Sequence, residues 1–345
     1  MVDSQGLSFE VLDDLTKVEE VAGEWNELLD RSRCNRAFSS AAWYLAACRH
    51  DPAAIPNVVL ARSGDGKLLA VLPLALLDDG KTAAFPIRFS DYNDIVAAPE
   101  DLDVAASLLR KVIAEPKEYR RVSLQNLRDD SNCVRAASLI FSPAEFGQKF
   151  RVTTVCPYIL LPASYDQYLT TRSPKLRKNL RRALRDADRN DVIVEELQPE
   201  SFAADQLAEV FLSLQLNRKG ANSCFTPANL QSFIREVVQR LFTERRLLAF
   251  AVIERNEIVG IDLYMVGANS ICSWNGGFLT EAAHWSPVKL LNDAAIKRAF
   301  SLRLEEYDYL RGEHPYKLSW TNSKREIGEL VVNVGDYNFR SRGDS

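Results

Sequence analysis

Apolar side chains recur every three to four residues over 18–31, where Val18, Val21, Ala22, Trp25, Leu28 and Leu29 fall on one face. The same spacing predicts helices over 41–49 and 102–113. Between and around them the pattern changes to short apolar runs bounded by turn residues. SFEVLDD, NVVLARS, LLAVLPLALLDD, AAFPIRF and RRVSLQNL read as strands. Gly64 and Gly66 in SGDGK predict a hairpin turn joining the second run to the third. This alternation predicts a mixed α/β unit over residues 1–160.

A second unit, over 161–335, repeats the order. Residues 165–189 read as helix interrupted at Pro174, VIVEEL as a strand, and 201–216 and 227–243 as two further helices. The long apolar run from Leu247 to Phe278 is cut at 254–257 and 267–270, which predicts a three-strand meander. A helix over 287–302 and a strand over 305–309 follow, and residues 336–345 are expected to form a frayed polar tail. No residue-level repeat links the two halves, so the expectation is a structural repeat with drifted sequence.

Composition narrows the class. With 345 residues, 46% hydrophobic and 26% charged, the chain suits a globular protein with two cores. The net charge of −4 gives no global attraction to polyanions, so such contacts must come from a local patch, and no DNA partner is expected. One patch exists. Arg172, Lys175, Arg177, Lys178, Arg181, Arg182, Arg185 and Arg189 crowd one helix, with 178, 182, 185 and 189 on one face. It reads as a phosphate-contacting stripe for a lipid headgroup, a nucleotide-sugar, a coenzyme or tRNA, or for an anionic membrane surface; the competing reading is a solvated helix with local ion pairs. Six cysteines and three histidines lack ligand spacing, so no metal site is expected. The acidic N-terminus and the absence of any run near the roughly 18 apolar residues of a membrane span point to a cytoplasmic location, with peripheral contact at the inner membrane face left open.

The candidate chemistry lies in the last third. Ser286-Pro287 carries an N-cap and a first-turn proline after an expected strand break at Gly276-Gly277. A helix start in that position suits a diphosphate, and Lys289 adds charge; a capped helix that binds nothing is the alternative. The run DYLRGEHPYKLSW (308–320) then gathers two carboxylates, an Arg, a His, a Tyr, a Lys and a Trp at a strand end.

Helices, a meander, a helix and a strand in this order resemble the GNAT superfamily of N-acyltransferases. The run SPVKLLNDAAIKRAFSLRLEEYDYLRGEHPYKLSW is similar to the signature of CelD/BcsL-type acyltransferases, a GNAT branch related to the FemABX transferases, through Ser286, Pro287, Asp308, Leu310, Gly312, Glu313, Tyr316, Lys317 and Trp320. SDYNDIV, SPKLRKNLRRALRD and FLSLQLNRKG resemble further family segments, so the resemblance covers nearly the whole chain. It departs at Val288, where the family has glycine.

The resemblance implies an α/β fold of two tandem GNAT-like units, with mixed central sheets flanked by helices. It implies acyl-CoA as cosubstrate, no tightly bound cofactor, and a donor held by Ser286, Pro287, Lys289 and Asn292. Asp308 and Glu313 become candidates for a base or an ammonium anchor, and Tyr316 for protonating the leaving thiolate. Arg311, Lys317, Lys178, Arg182, Arg218 and Trp274 become candidates for binding the acceptor. For Asp308 the alternative is neutralisation by Arg311; for Tyr316 and Trp274 it is core packing. The implied activity is acyl transfer to an amine or hydroxyl of a cell-envelope, exopolysaccharide or lipid precursor. Its rivals are FemABX-like transfer from aminoacyl-tRNA, long-chain N-acylation of a lipid amine, and a non-catalytic binding module.

Overall fold

In chain order the structure begins with β1 (Ser8–Leu12), α1 (Leu15–Glu20), α2 (Ala22–Arg31), α3 (Ala41–Arg49), β2 (Ile55–Arg62), β3 (Leu68–Leu77), β4 (Thr82–Ala84), β5 (Val96–Ala97), α4 (Leu102–Ala114) and β6 (Arg121–Arg128). Next come α5 (Asn132–Ile140), α6 (Pro143–Lys149), β7 (Phe150–Leu160), α7 (Tyr165–Thr170), α8 (Pro174–Arg189), β8 (Ile193–Leu197), α9 (Ala204–Lys219), α10 (Ala228–Thr243), β9 (Leu247–Glu254), β10 (Glu257–Val266) and β11 (Ser270–Phe278). The chain ends with α11 (Pro287–Ser301), β12 (Glu306–Asp308), α12 (Pro315–Trp320) and β13 (Ser323–Asn333). This computed structural model describes residues 6–86, 89–115, 119–321 and 323–334. The expected tail, 336–345, lies outside the described residues, as does part of the expected strand AAFPIRF.

Two units form. One takes the residues up to Thr154 and those from Glu326 onward, and the other is Val155–Arg325. The expected division at 160/161, with everything to 335 in the second unit, is therefore corrected at both ends. The physical reason is strand pairing: β13 runs antiparallel to β6 of the first unit, whereas the far half of β7 pairs β12 of the second.

The strands of each unit follow one plan. The first follows β1-β2-β3-β4-β6-β13 and the second β8-β9-β10-β11-β12-β7. In each, neighbours are antiparallel except one parallel pair, β4 with β6 and β11 with β12. The structural repeat expected from the element order is thus present in topology: an α/β fold with mixed sheets flanked by helices.

Apolar patterning explains the layers. In the first unit Trp25, Leu28, Tyr44 and Leu45 from α2 and α3 pack with Val58, Leu60 and Val71 of the sheet. A separate cluster sets Leu108, Leu109 and Val112 of α4 against Leu72, Leu124 and Leu330. The single helix expected over 18–31 is two, turned at Val21, and both Val18 and Trp25 still reach the core. In the second unit α8 inserts Leu176, Leu180 and Ala183 beside Leu290 and Ile296 of α11, over Val252, Tyr264 and Tyr307. Ser173 caps α8 by accepting from Leu176 N at 3.1 Å, which is why the helix restarts at Pro174 as the sequence predicts.

Candidate functional site

The parallel strands β11 and β12 pair over three residues only, Ser270–Glu306, Ile271–Tyr307 and Cys272–Asp308. β11 continues to Phe278, while the chain turns away after Asp308 through Leu310 and Gly312, both at positive φ. The ladder between the two strands therefore stops at Cys272 and Asp308, and the place beyond it, where β11 continues without β12, is termed the V. Within it the β10–β11 register steps from Leu263–Asn275 to Tyr264–Ser273, leaving Trp274 as the extra residue of a β-bulge.

Gly276 and Gly277 do not break the strand, as the sequence suggested; they let other groups approach it. A Cβ on Gly276 would lie 2.6 Å from Asp262 Oδ1, and one on Gly277 would lie 2.6 Å from the Leu214 carbonyl carbon of α9. Asp262, opposite Gly276 on β10, is partly buried in an otherwise apolar strand.

Charged and phenolic groups from four elements come within electrostatic reach of Asp262. They are Tyr264 on its own strand, Arg218 of α9, Tyr307 and Tyr309 near β12, and Tyr316 and Lys317 of α12. Burial pushes the Asp262 carboxyl up to about 7, outweighing Tyr264, the Leu263 N–H, Arg218 and Lys317, all of which pull it down. Burial also raises the three phenols Tyr264, Tyr307 and Tyr309 well above their ordinary value.

The phenol rings form a row, with centroids 6.2 Å apart for Tyr264–Tyr307, 5.0 Å for Tyr307–Tyr309 and 6.4 Å for Tyr309–Tyr316. Beside them Gln215 Nε2 donates to Asn275 Oδ1 at 2.5 Å and to the Gly276 carbonyl. Arg218 lies 4.4 Å over the Phe278 ring, and Lys317 Nζ donates to the Arg311 carbonyl at 2.6 Å.

Of the residues singled out from the sequence, Tyr316, Lys317 and Arg218 meet here. Tyr316 is 47% exposed, and burial of the rest of its ring pushes the phenol up to about 12. Trp274 stacks on Phe211 at 6.1 Å, part of the wall between β11 and α9.

The others lie elsewhere. Asp308, expected as a proton acceptor, is buried and committed to the fold: Oδ1 accepts from Leu310 N at 2.7 Å, and Oδ2 is 3.5 Å from Arg325 Nε. Arg325 supplies a counter-ion, and the Arg311 side chain is exposed. Glu313 is exposed and ion-paired with Lys324.

Ser286 sits at the start of α11 in the left-handed conformation, φ 58°, and caps nothing, because a 3₁₀ turn over Thr280–Trp285 feeds straight into Pro287. Lys289 is partly buried in that first turn. Asn292 is internal: it accepts from the Tyr307 hydroxyl at 2.9 Å and donates to the Val288 carbonyl at 2.7 Å, which leaves a donor little to bind. Lys178 and Arg182 are exposed on α8, and Arg182 pairs with Asp186 at 3.3 Å. Asp262, Gln215, Tyr307 and Tyr309 were missed. The available signal was Asp262 in the middle of the run EIVGIDLYMV, whose other acid, Glu257, stands at its turn end.

Residues 174–318 match the family model described as Acetyltransferase (GNAT) domain. No curated relative matches the chain by sequence. Among solved structures the chain is similar to FemX, with a TM-score of 0.64 at 11% identity over 90% of this chain and 96% of that one. It is also similar to L-PGS from Bacillus licheniformis, at 0.59 and 11% over 91% and 92%. A third likeness is to the C-terminal domain of an Agrobacterium fabrum protein described as a lysylphosphatidylglycerol synthetase, at 0.57 and 13% over 92% and 94%. At these identities the likeness is one of fold.

Proposed function

We propose that the second unit moves an acyl group from an activated donor, an acyl thioester such as acyl-CoA, to an amine or hydroxyl of a cell-envelope, polysaccharide or lipid precursor. The observation that carries this reading is the V between β11 and β12, which lies inside the segment matching a GNAT domain. An extended thioester arm carrying amides can lie along an unpaired strand edge as an added strand would. The diphosphate of such a donor suits the start of α11, where Lys289 supplies a positive charge and Val288 stands in place of the family's glycine.

A thioester is already activated, so the enzyme's task is to align the nucleophile, take its proton and hold the developing charge. The CelD/BcsL-type resemblance of residues 286–320 supports envelope or polysaccharide acceptors. The likeness to a domain described as a lysylphosphatidylglycerol synthetase supports a lipid acceptor, reached peripherally from the cytoplasmic side. No described helix is long and apolar enough to cross a membrane.

The test is thiol release from acyl-CoAs of graded chain length, with and without amine and hydroxyl acceptors, combined with calorimetry of donor binding. Acceptor-dependent release with a mass-identified acyl product is expected. Absence of both donor binding and thiol release at every chain length would overturn the thioester reading.

Aminoacyl-tRNA as donor is the second reading, favoured by α8. Lys175, Lys178, Arg181, Arg182, Arg185 and Arg189 are exposed along it while its apolar side is used in the core. If it holds, tRNA binding at roughly 50 mM salt should fall steeply with added salt and vanish when Lys178, Arg182 and Arg185 are all changed to Glu. Unchanged binding in that triple variant would remove this support.

A further inference from the structure

We infer that Asp262 is the proton acceptor of the transfer step, a role that rests on the acyl-transfer reading above. Three geometric observations carry it. Asp262 lies at the V itself, against a glycine whose missing side chain leaves room for its carboxylate. Two neutral, buried side-chain atoms near it have no hydrogen-bond partner among the described residues: the Tyr309 hydroxyl, and Oε1 of Gln215, whose Nε2 donates to the carbonyl of Gly276 opposite Asp262. Buried polar groups are rarely left unpaired, so these atoms mark where polar atoms of a bound molecule complete the bonding. Finally, both acids of the 308–320 run are engaged elsewhere, Asp308 with Arg325 and Glu313 with Lys324.

The chemistry balances within the proposed reactants. The lone pair of the acceptor's nitrogen or oxygen forms a bond to the thioester carbonyl carbon as its proton passes to an Asp262 oxygen. The C–S bond then breaks with its electron pair on sulfur. The thiolate takes up the proton held by Asp262, directly or through water, and the carboxylate is restored. The groups facing it are Arg218 from α9, Tyr264 from β10, Tyr307 and Tyr309 from β12 and the residue after it, and Tyr316 and Lys317 from α12. The two cations favour the ionised form and burial opposes it, leaving the group poised near 7, where a general base works best at neutral pH.

The experiment compares wild type, Asp262→Asn and Asp262→Glu with acyl-CoA and a transferring acceptor. Wild-type kcat/KM should rise through an acid limb near pH 7. Asp262→Asn should lose about 10² to 10⁴ in kcat together with that limb, at unchanged acyl-CoA affinity by calorimetry. Asp262→Glu should recover part of the rate with a displaced limb. Turnover of Asp262→Asn within about threefold of wild type, with the limb in place, would overturn the assignment.

A second measurement needs no turnover. A carboxyl raised in the fold contributes stability that is present below its unfolded value, 3.8, and is lost as pH rises through about 7. Asp262→Asn should therefore gain stability relative to wild type between pH 5 and pH 8. A difference that is flat with pH would overturn the poised carboxylate itself. A wild type that binds no acyl-CoA but shows this slope would instead count against the donor reading alone.

Discussion

The two units share a strand order and differ in what happens beside the parallel pair. In the first, β4 stops at Ala84, β5 takes up β3 through Ala70–Ala97 and Val71–Val96, and the segment before β5 bonds to β6, with Asn93 N donating to the Asn126 carbonyl at 3.2 Å and Asn126 Nδ2 to the Ser90 carbonyl at 2.8 Å. In the second, β11 runs on beside β10 and the corresponding place holds Asp262, Gln215 and a row of phenols.

Each unit also keeps an acid that burial raises, Asp94 to about 6 and Asp262 to about 7. Asp94 spends its oxygens on the start of α5, accepting from Asn132 N at 2.9 Å and Cys133 N at 2.8 Å. Asp262 has side chains with unfilled hydrogen-bonding capacity around it. A perturbed acid is thus no sign of a site by itself; the unfilled polar surroundings make the difference. One topology thus holds a segment bonded to the parallel partner in one unit and polar groups with unfilled bonding capacity in the other.

The sharpest way to break this contrast is to close the second V. Gly276→Val places carbon where Asp262 Oδ1 and the Ile261 carbonyl now lie, both 2.6 Å from the new Cβ. Turnover is expected to fall by about a hundredfold or more through displaced groups. Near-normal turnover in a folded variant would mean that the V is not the site.

Next in size is Asp308→Asn. It removes one carboxylate from a buried pair while Arg325 keeps Glu306, so stability should drop by about 2 kcal/mol in denaturant unfolding, with kcat changed far less than in Asp262→Asn. A large kcat loss at unchanged stability would return Asp308 to the chemistry. The smallest effect is expected for Asp94→Ala, about 1 kcal/mol from the start of α5, with the pH profile of turnover unmoved.

Much of the fold was legible because its signals are local. The turn at Arg255-Asn256, with both residues at positive φ, separates β9 from β10 where ERNE interrupts the apolar run. Residues 132–160 were not read, although Ser142 and Glu145 form a capping box and FRVTTVCPYIL is rich in strand formers. Pro157 in that run argues against a strand, and nothing local says that β7 lies antiparallel to β12. β13 was not read either: SKREIGELVVN opens with a charged run, and Ile327, Leu330 and Val332 are buried with β6 beside them. At six residues, α12 is too short to show a period.

The sequence alone determined most of the elements and their repeated order, because periodicity, caps and turn residues act over a few positions of one chain segment. Which acid is free to act was decided only by the tertiary structure. The state of a carboxylate depends on burial and on charges brought to it in space. Arg325 reaches Asp308 from β13, while Arg218 and Lys317 approach Asp262 from α9 and α12. None of these partners is a near neighbour in the chain of the acid it approaches, so the surroundings of either carboxylate could not be read from its own segment.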